Sequence, residues 1–347
     1  MPSSEPKKAP VRLTRGWWTG LGVGLAILTG HALFNMMVDP TGEFGQSGRY
    51  AFNRSPPPGV IAQGVASGNP AFFTRAIREH RGDVFLIGAS RTWRGFDTCS
   101  RPEILRVAGS AWGLRELAQV EQTIMNDRTT PVTLLIEVGL PTRERPAIVN
   151  PTQAALSAAL SPRTTLQSVQ TVAHSLTGGE VDSTNYAPCQ SLPPDPQDWI
   201  QAERSLRYTL SQLDTTVASL AMGRRNLVDM ADRADEICRR TGQRHRLVFF
   251  TLPATPADAP VSGHDRIVQD NAMRIATMFA HRKPDASGCH IRYLNFASTP
   301  PGDEETQALW RDRDQWSDYF HFSAHLGETA LAQLVNQTSF HGSTEHD

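Results

Sequence analysis

The sequence predicts a doubly wound α/β domain, a central parallel sheet flanked by helices, and three observations lead there. Short apolar runs of strand length recur along the chain, the first being Asp83-Val84-Phe85-Leu86-Ile87-Gly88. These runs are continuous rather than alternating, as strands buried on both faces are. Between them lie stretches whose apolar residues fall at helical spacing, so strands and amphipathic helices alternate.

The first strand ends at a turn residue, Gly88. Ile104–Gly109 is the second candidate, Val132–Val138 the third, Arg246–Leu252 the fourth and His290–Phe296 the fifth. Leu114, Leu117, Val120 and Ile124 mark one helical face, stopped by Asn126-Asp127. Leu227, Met230, Ala234 and Ile237 mark a second, ending before Thr241-Gly242. Val268, Ala272, Ile275 and Phe279 mark a third, and Ser323 is placed to cap a last helix through Leu331 and Leu334, with Glu328 near its start. Residues from about 146 to 223 break the rhythm. They are rich in Ser, Thr, Pro and Gln, and read as a part-helical insertion between the third and fourth strands. A connection that long carries function or disorder.

Ahead of the sheet, Lys7, Lys8, Arg12 and Arg15 precede an apolar stretch from Trp17 to Val38 whose only ionisable residue is His31. About 20 apolar residues span a bilayer as a helix. The Trp17-Trp18 pair suits the aqueous interface, and the basic flank stays on the cytoplasmic side. A cleaved signal peptide would have a shorter core and a small-x-small site after it; Asn35-Met36-Met37-Val38-Asp39-Pro40 offers none. The expected plan is a basic cytoplasmic tail (1–16), a membrane anchor (17–38), an irregular lead-in (39–80), the sheet domain (81–338) and a short tail (339–347).

The chain's 347 residues are enough for one large domain with an anchor or for two small ones. A formal net charge of -1 argues against a nucleic-acid partner, which demands a basic face. Four cysteines, none in a CxxC pair, fit an oxidising compartment better than a zinc finger. They allow three pairings between which sequence does not choose, and buried free thiols remain the alternative.

The residues that point to chemistry stand at the ends of the strands. Ser90, in Gly88-Ala89-Ser90-Arg91-Thr92, follows the first strand directly. In an open parallel sheet the carboxyl ends of the strands carry the ligand site, and a serine hydroxyl there becomes a nucleophile when a base adjoins it. The bland alternative is a serine that caps the following helix. Far along the chain, Asp318-Tyr319-Phe320-His321-Phe322-Ser323 holds a carboxylate and an imidazole three residues apart. An imidazole held by a carboxylate is a general base of fixed tautomer; alone, the same pair is as readily a surface turn.

Serine after strand one and Asp-x-x-His before the final helix, with parallel strands between, resemble the SGNH hydrolase superfamily. Within it the chain is most similar to membrane-anchored proteins of alginate O-acetylation and teichoic-acid D-alanylation. Phe34-Asn35 and Val38-Asp39-Pro40 after the anchor, Leu86–Arg91 with Gly95-Phe96-Asp97, Leu294-Asn295-Phe296, and Asp318–His321 with Phe322-Ser323 carry the likeness. The resemblance implies a flavodoxin-like three-layer α/β/α sandwich and a catalytic Ser90, His321 and Asp318. It also implies a periplasmic domain beside the inner membrane that handles acyl esters on an exported polysaccharide or glycan, with a membrane acyl-donor protein as partner. An Asn expected after the third strand is missing from Ile136-Glu137-Val138-Gly139-Leu140. The oxyanion would then rest on the backbone N–H groups of Ser90 and Gly109, with Gly113 close by; one lost donor costs about 10²–10³ in rate.

Arg91 has two roles open to it: substrate binding, by gripping an anionic group, or holding the turn by pairing with Asp97 or Glu137. His321 and His325 are four apart, but a helix starting at Ser323 keeps their rings off a common face, and no metal is expected. Neither glycine-rich phosphate motif follows a strand, so no nucleotide or other cofactor is expected. Two functions of different class result: an O-acetyltransferase or esterase, and a non-catalytic subunit that binds glycan or a membrane partner.

Overall fold

The computed structural model describes residues 15–38, 77, 80–98, 100–109, 112–141, 156, 159–177, 215–254, 264–282, 288–316 and 321–338. Asp318, Cys99, Cys189, nearly all of the lead-in and most of the predicted insertion lie outside them.

Five strands, β1 (Val84–Gly88), β2 (Ile104–Ala108), β3 (Thr133–Glu137), β4 (Arg246–Thr251) and β5 (His290–Asn295), form one sheet in the order β2-β1-β3-β4-β5. Every neighbouring pair is parallel. The strands start and stop within one residue of the apolar runs. The helices are α1 (Arg15–Val38), α2 (Ser90–Gly95), α3 (Leu114–Asp127), α4 (Pro162–Thr177), α5 (Val217–Thr241), α6 (His264–Ala280), α7 (Glu304–Leu309) and α8 (Ala324–Thr338), with a 3-10 turn at Arg313–Gln315. The chain divides into two compact units, one of residues 1–55 and 150–181, the other of residues 56–149 and 182–347.

In the sheet unit, successive strand residues point to opposite faces. One face sets Phe85, Ile87, Val107, Ile136 and Phe249 against α3 and α5. The other sets Leu86, Leu135, Val248 and Phe250 against α8 and the aromatic cluster of Phe96, Trp310, Trp316 and Phe322. Because both faces are covered there, β1, β3 and β4 carry no polar alternation, whereas the edge strand β5 alternates exposed His290 and Arg292 with half-buried Ile291 and Tyr293. Each fully buried side chain of this kind contributes about 1.5–3 kcal/mol.

Three polar devices tie the helical layers together. Cys238 of α5 is disulfide-bonded to Cys289 at the entrance of β5. Beside it, Asp235 accepts the Cys289 N–H at 2.8 Å and pairs with Arg282. On β2, buried Arg106 donates to the Phe96 carbonyl and so fastens the chain leaving α2; its burial pushes the guanidinium pKa down to about 10, partly offset by Asp97.

Two boundaries differ from the sequence expectation. Helix α5 begins at Val217, capped by the Thr216 hydroxyl, so its first two turns fall inside the stretch read as insertion. Helix α4, also in that stretch, shares a unit with α1 and not with the sheet. Helix α1 itself, over Gly16–Val38, is long and apolar enough to cross a membrane, with mean hydropathy 1.6.

Candidate active site at the carboxyl ends of the strands

The chain leaves β1 to one side for β2 and returns to the other side for β3, so the strand order reverses between β1 and β3. In open α/β sheets ligands bind at that reversal, beyond the carboxyl ends of the strands. Ser90 is placed there, two residues past Gly88. Glu137, the last residue of β3, stands beside Gly88 in register, since Ile87 pairs with Ile136.

The β1–α2 turn is built around a glycine. A Cβ on Gly88 would lie 1.9 Å from Thr92 Oγ1 and 3.0 Å from Glu137 Oε2. Those two groups fill the space, with the Thr92 hydroxyl donating to Glu137 Oε2 at 2.5 Å. Ala89 holds the N-cap position of α2 and Ser90 is the first helical residue. The Ser90 hydroxyl is therefore not spent on capping, which removes the bland alternative for it.

Arg91 takes the structural of its two roles. Its Nε lies 3.4 Å from Glu137 Oε1, its Nη2 donates to the Pro253 carbonyl at 2.6 Å, and its guanidinium sits 5.9 Å from the centre of the Phe322 ring. These contacts form a clamp that joins the turn after β1 to the ends of β3 and β4. Burial lowers the pKa of this guanidinium and Glu137 opposes the shift.

The amides of Gly109 and Gly113 have partners of their own. Gly109, expected to turn its N–H toward the reacting carbonyl, donates it to Gly88 O at 3.3 Å. Gly113 donates its N–H to Glu116 Oε2 at 2.8 Å, the half of a capping box that a glycine N-cap can make. Sheet pairing and helix capping have each claimed a glycine amide that the sequence left open.

His321 is held in the sheet unit through its neighbour Phe322. Phe322 is buried among Phe96, Trp310 and Trp316, and its ring lies 2.2 Å from where a Gly95 Cβ would stand. A Cβ on Gly327 of α8 would lie 1.9 Å from the Gly95 carbonyl oxygen. The two glycines let α8 and α2 approach, so the residue next to His321 is lodged against the helix that Ser90 opens. Trp316 bridges Phe322, and Ser323 donates its N–H to Gln315 O at 2.7 Å and its hydroxyl to Gln315 Oε1 at 3.0 Å. These contacts bring together the chain on either side of residues 317–320. The His321 ring is half-buried, with Nε2 shielded from solvent. Asp318, its expected carboxylate, lies outside the described residues.

One residue at this edge escaped the sequence reading. His264 opens α6 close enough to Arg91 to feel its charge: burial and then the Arg91 cation lower its pKa, while Asp265 pulls the other way. A lone His after an irregular stretch carries no spacing signal, so only its tertiary neighbour reveals it. Among the described residues, no group of three or more His, Cys, Asp or Glu side chains is gathered as a metal site.

No family model matches the chain, and no curated protein matches it. Among solved structures it is similar to one from Streptococcus pneumonia, provisionally described as a platelet activating factor, at 8% identity and a TM-score of 0.39 over 76% of this chain and 88% of that one. That likeness is too distant to bear on activity, and the functional reading rests on the site's own geometry.

Proposed function

We propose that the chain is a membrane-anchored acyl-ester enzyme, an O-acyltransferase or esterase acting on an exported polysaccharide or envelope glycan. The observation that carries the reading is Ser90: an uncapping hydroxyl at the strand-order reversal, on a turn clamped by Arg91, Glu137 and Thr92. Ser90 attacks the acyl carbonyl. His321 takes its proton and returns it to the leaving oxygen, and Asp318 orients the imidazole. The Ser90 N–H serves the oxyanion. The acyl group then passes to a sugar hydroxyl or to water. The α5–β5 disulfide supports an oxidising, periplasmic setting.

A second reading has one observation in its favour. With the Gly109 and Gly113 amides committed elsewhere, the oxyanion has a poorer cradle than a robust hydrolase needs. A non-catalytic subunit that binds glycan or a membrane partner would need none.

The test is p-nitrophenyl acetate turnover by the full chain in detergent, beside Ser90→Ala and His321→Ala. The full chain is required because Asn35 and His31 of α1 bond to residues 159–168. Loss of turnover by about 10³-fold or more in both folded variants, with fluorophosphonate labelling of Ser90, is the expected result. Turnover indifferent to both changes would sink the triad, and no turnover in the unaltered chain would favour the binding subunit.

A further inference from the structure

Among the described residues of the unit that holds α1 and α4, polar groups lie inside and apolar ones outside. Asn35 of α1 is fully buried; its Nδ2 donates to Ala159 O at 2.7 Å and to Thr165 Oγ1 at 2.9 Å, and its Oδ1 accepts from Ser168 Oγ at 3.0 Å. His31, one turn earlier, meets Thr165 Oγ1 at 2.8 Å, and that hydroxyl also lies 3.1 Å from Ser161 O. A helix turns about 100° per residue, so α4 has three sides. Thr164, Thr165 and Ser168 lie on the side toward α1. Leu166, Val169, Ala173 and Leu176, at i, i+3, i+7 and i+10, form an exposed apolar stripe, with Leu176 82% exposed. Gln167 and Gln170 lie on the third side. Leu156 and Leu160, also exposed, add to the apolar surface.

In water this arrangement runs against the hydrophobic effect, because hydroxyls and an amide are buried while leucines are exposed. In lipid it is the favourable one: polar groups must find partners between helices, and apolar side chains face the chains of the bilayer. We infer that α4 is an interfacial helix whose Leu166–Val169–Leu176 stripe sits in the lipid of the leaflet where the Asn35 end of α1 emerges. The inference rests on α1 crossing the membrane. Lipid is the occupant because α1 beside it exposes Leu21, Val23, Leu25, Ile27 and Leu28, so the pair shares one apolar exterior. The depth agrees. At about 1.5 Å per residue, Asn35 lies about 5 Å and His31 about 10 Å inside the Val38 end of the span, the depth to which an interfacial amphipathic helix sinks.

The experiment places benzoylphenylalanine, one position at a time, at Leu166, Val169, Ile27 and Glu236 of the full chain in native membranes. Irradiation is followed by mass analysis of the adducts. All four side chains are exposed, so the probe is tolerated and adduct identity is the readout. The expected result is phospholipid adducts at Ile27, Leu166 and Val169 and none at Glu236 of α5. Lipid at Ile27 without lipid at Leu166 and Val169 overturns the inference while the anchor stands. Adducts to another protein, or to a second copy of this chain, at the stripe also overturn it. No lipid at Ile27 removes the anchor, and the inference with it; turnover by Ser90 is independent of all these outcomes.

Discussion

The two units of this protein solve opposite problems. The sheet unit puts Phe85, Ile87, Phe249 and Phe250 inside; of the polar groups that share the interior, Arg106 and Asp235 are bonded there, while Glu121 is not. The α1–α4 unit puts Asn35, Thr164 and Ser168 inside and its leucines outside. Residue types are sorted by solvent: where water surrounds the fold, burial of apolar area holds it together; where lipid does, bonding between helices takes over. The contrast can be broken experimentally at either end.

The largest structural effect is expected at Phe322. Phe322→Ala empties the aromatic cluster and should cost about 3–5 kcal/mol. It should also remove Ser90-dependent turnover, because the residue that seats His321 is gone. A urea titration followed by the ester assay checks both. Retained turnover would show that His321 is positioned some other way.

Next comes the covalent tie. Replacing Cys238 and Cys289 together by Ser should cost about 2–5 kcal/mol, read as a lower urea midpoint, and reducing agent should lower the midpoint of the unaltered chain similarly. In the helical unit Asn35→Leu is the sharper probe. In a water-solvated core, exchanging an amide for leucine of similar size often stabilises. Here it should weaken the α1–α4 pairing by about 0.6–2 kcal/mol, seen as faster proteolysis of residues 150–181. A strengthened pair would mean that both units are held by the same force.

The last effect is one of pH. Glu121 of α3 is fully buried, with neither carboxylate oxygen bonded. Burial pushes its pKa up to about 8, opposed by Arg233. Because the folded pKa lies above the unfolded one, the folded state binds more protons between them. Stability from this group is full below about 4.5 and is lost as pH rises toward 8. Melting temperature should fall over that window, and Glu121→Gln should flatten the slope.

Much of the sheet was legible because its signal is local. The runs at 83–88 and 246–252 are continuous and bounded by turn residues, and the structure places strands there within one residue. The strand end bearing Ser90 was legible for the same reason. The role of Arg91 was legible only as a choice, since Glu137 and a substrate anion are equally good partners for a guanidinium until the end of β3 is known to lie 3.4 Å away. The bonding of the glycine amides was not legible, because an N–H has no preference visible in sequence; Gly88 O and Glu116 Oε2 accept them.

By itself, then, the sequence determined which segments are strands and helices, that the sheet is parallel and covered on both faces, and that one N-terminal helix can span a membrane. These follow from side-chain periodicity, apolar length and flanking charge, which act within a few residues. Only the tertiary structure decided that Cys238 meets Cys289, that Arg91 clamps the turn, and that α4 turns its hydroxyls to Asn35 and its leucines outward. Each is a choice among chemically equal partners far apart in the chain, and such choices are made by packing, which brings one candidate into bonding distance and leaves the others beyond it.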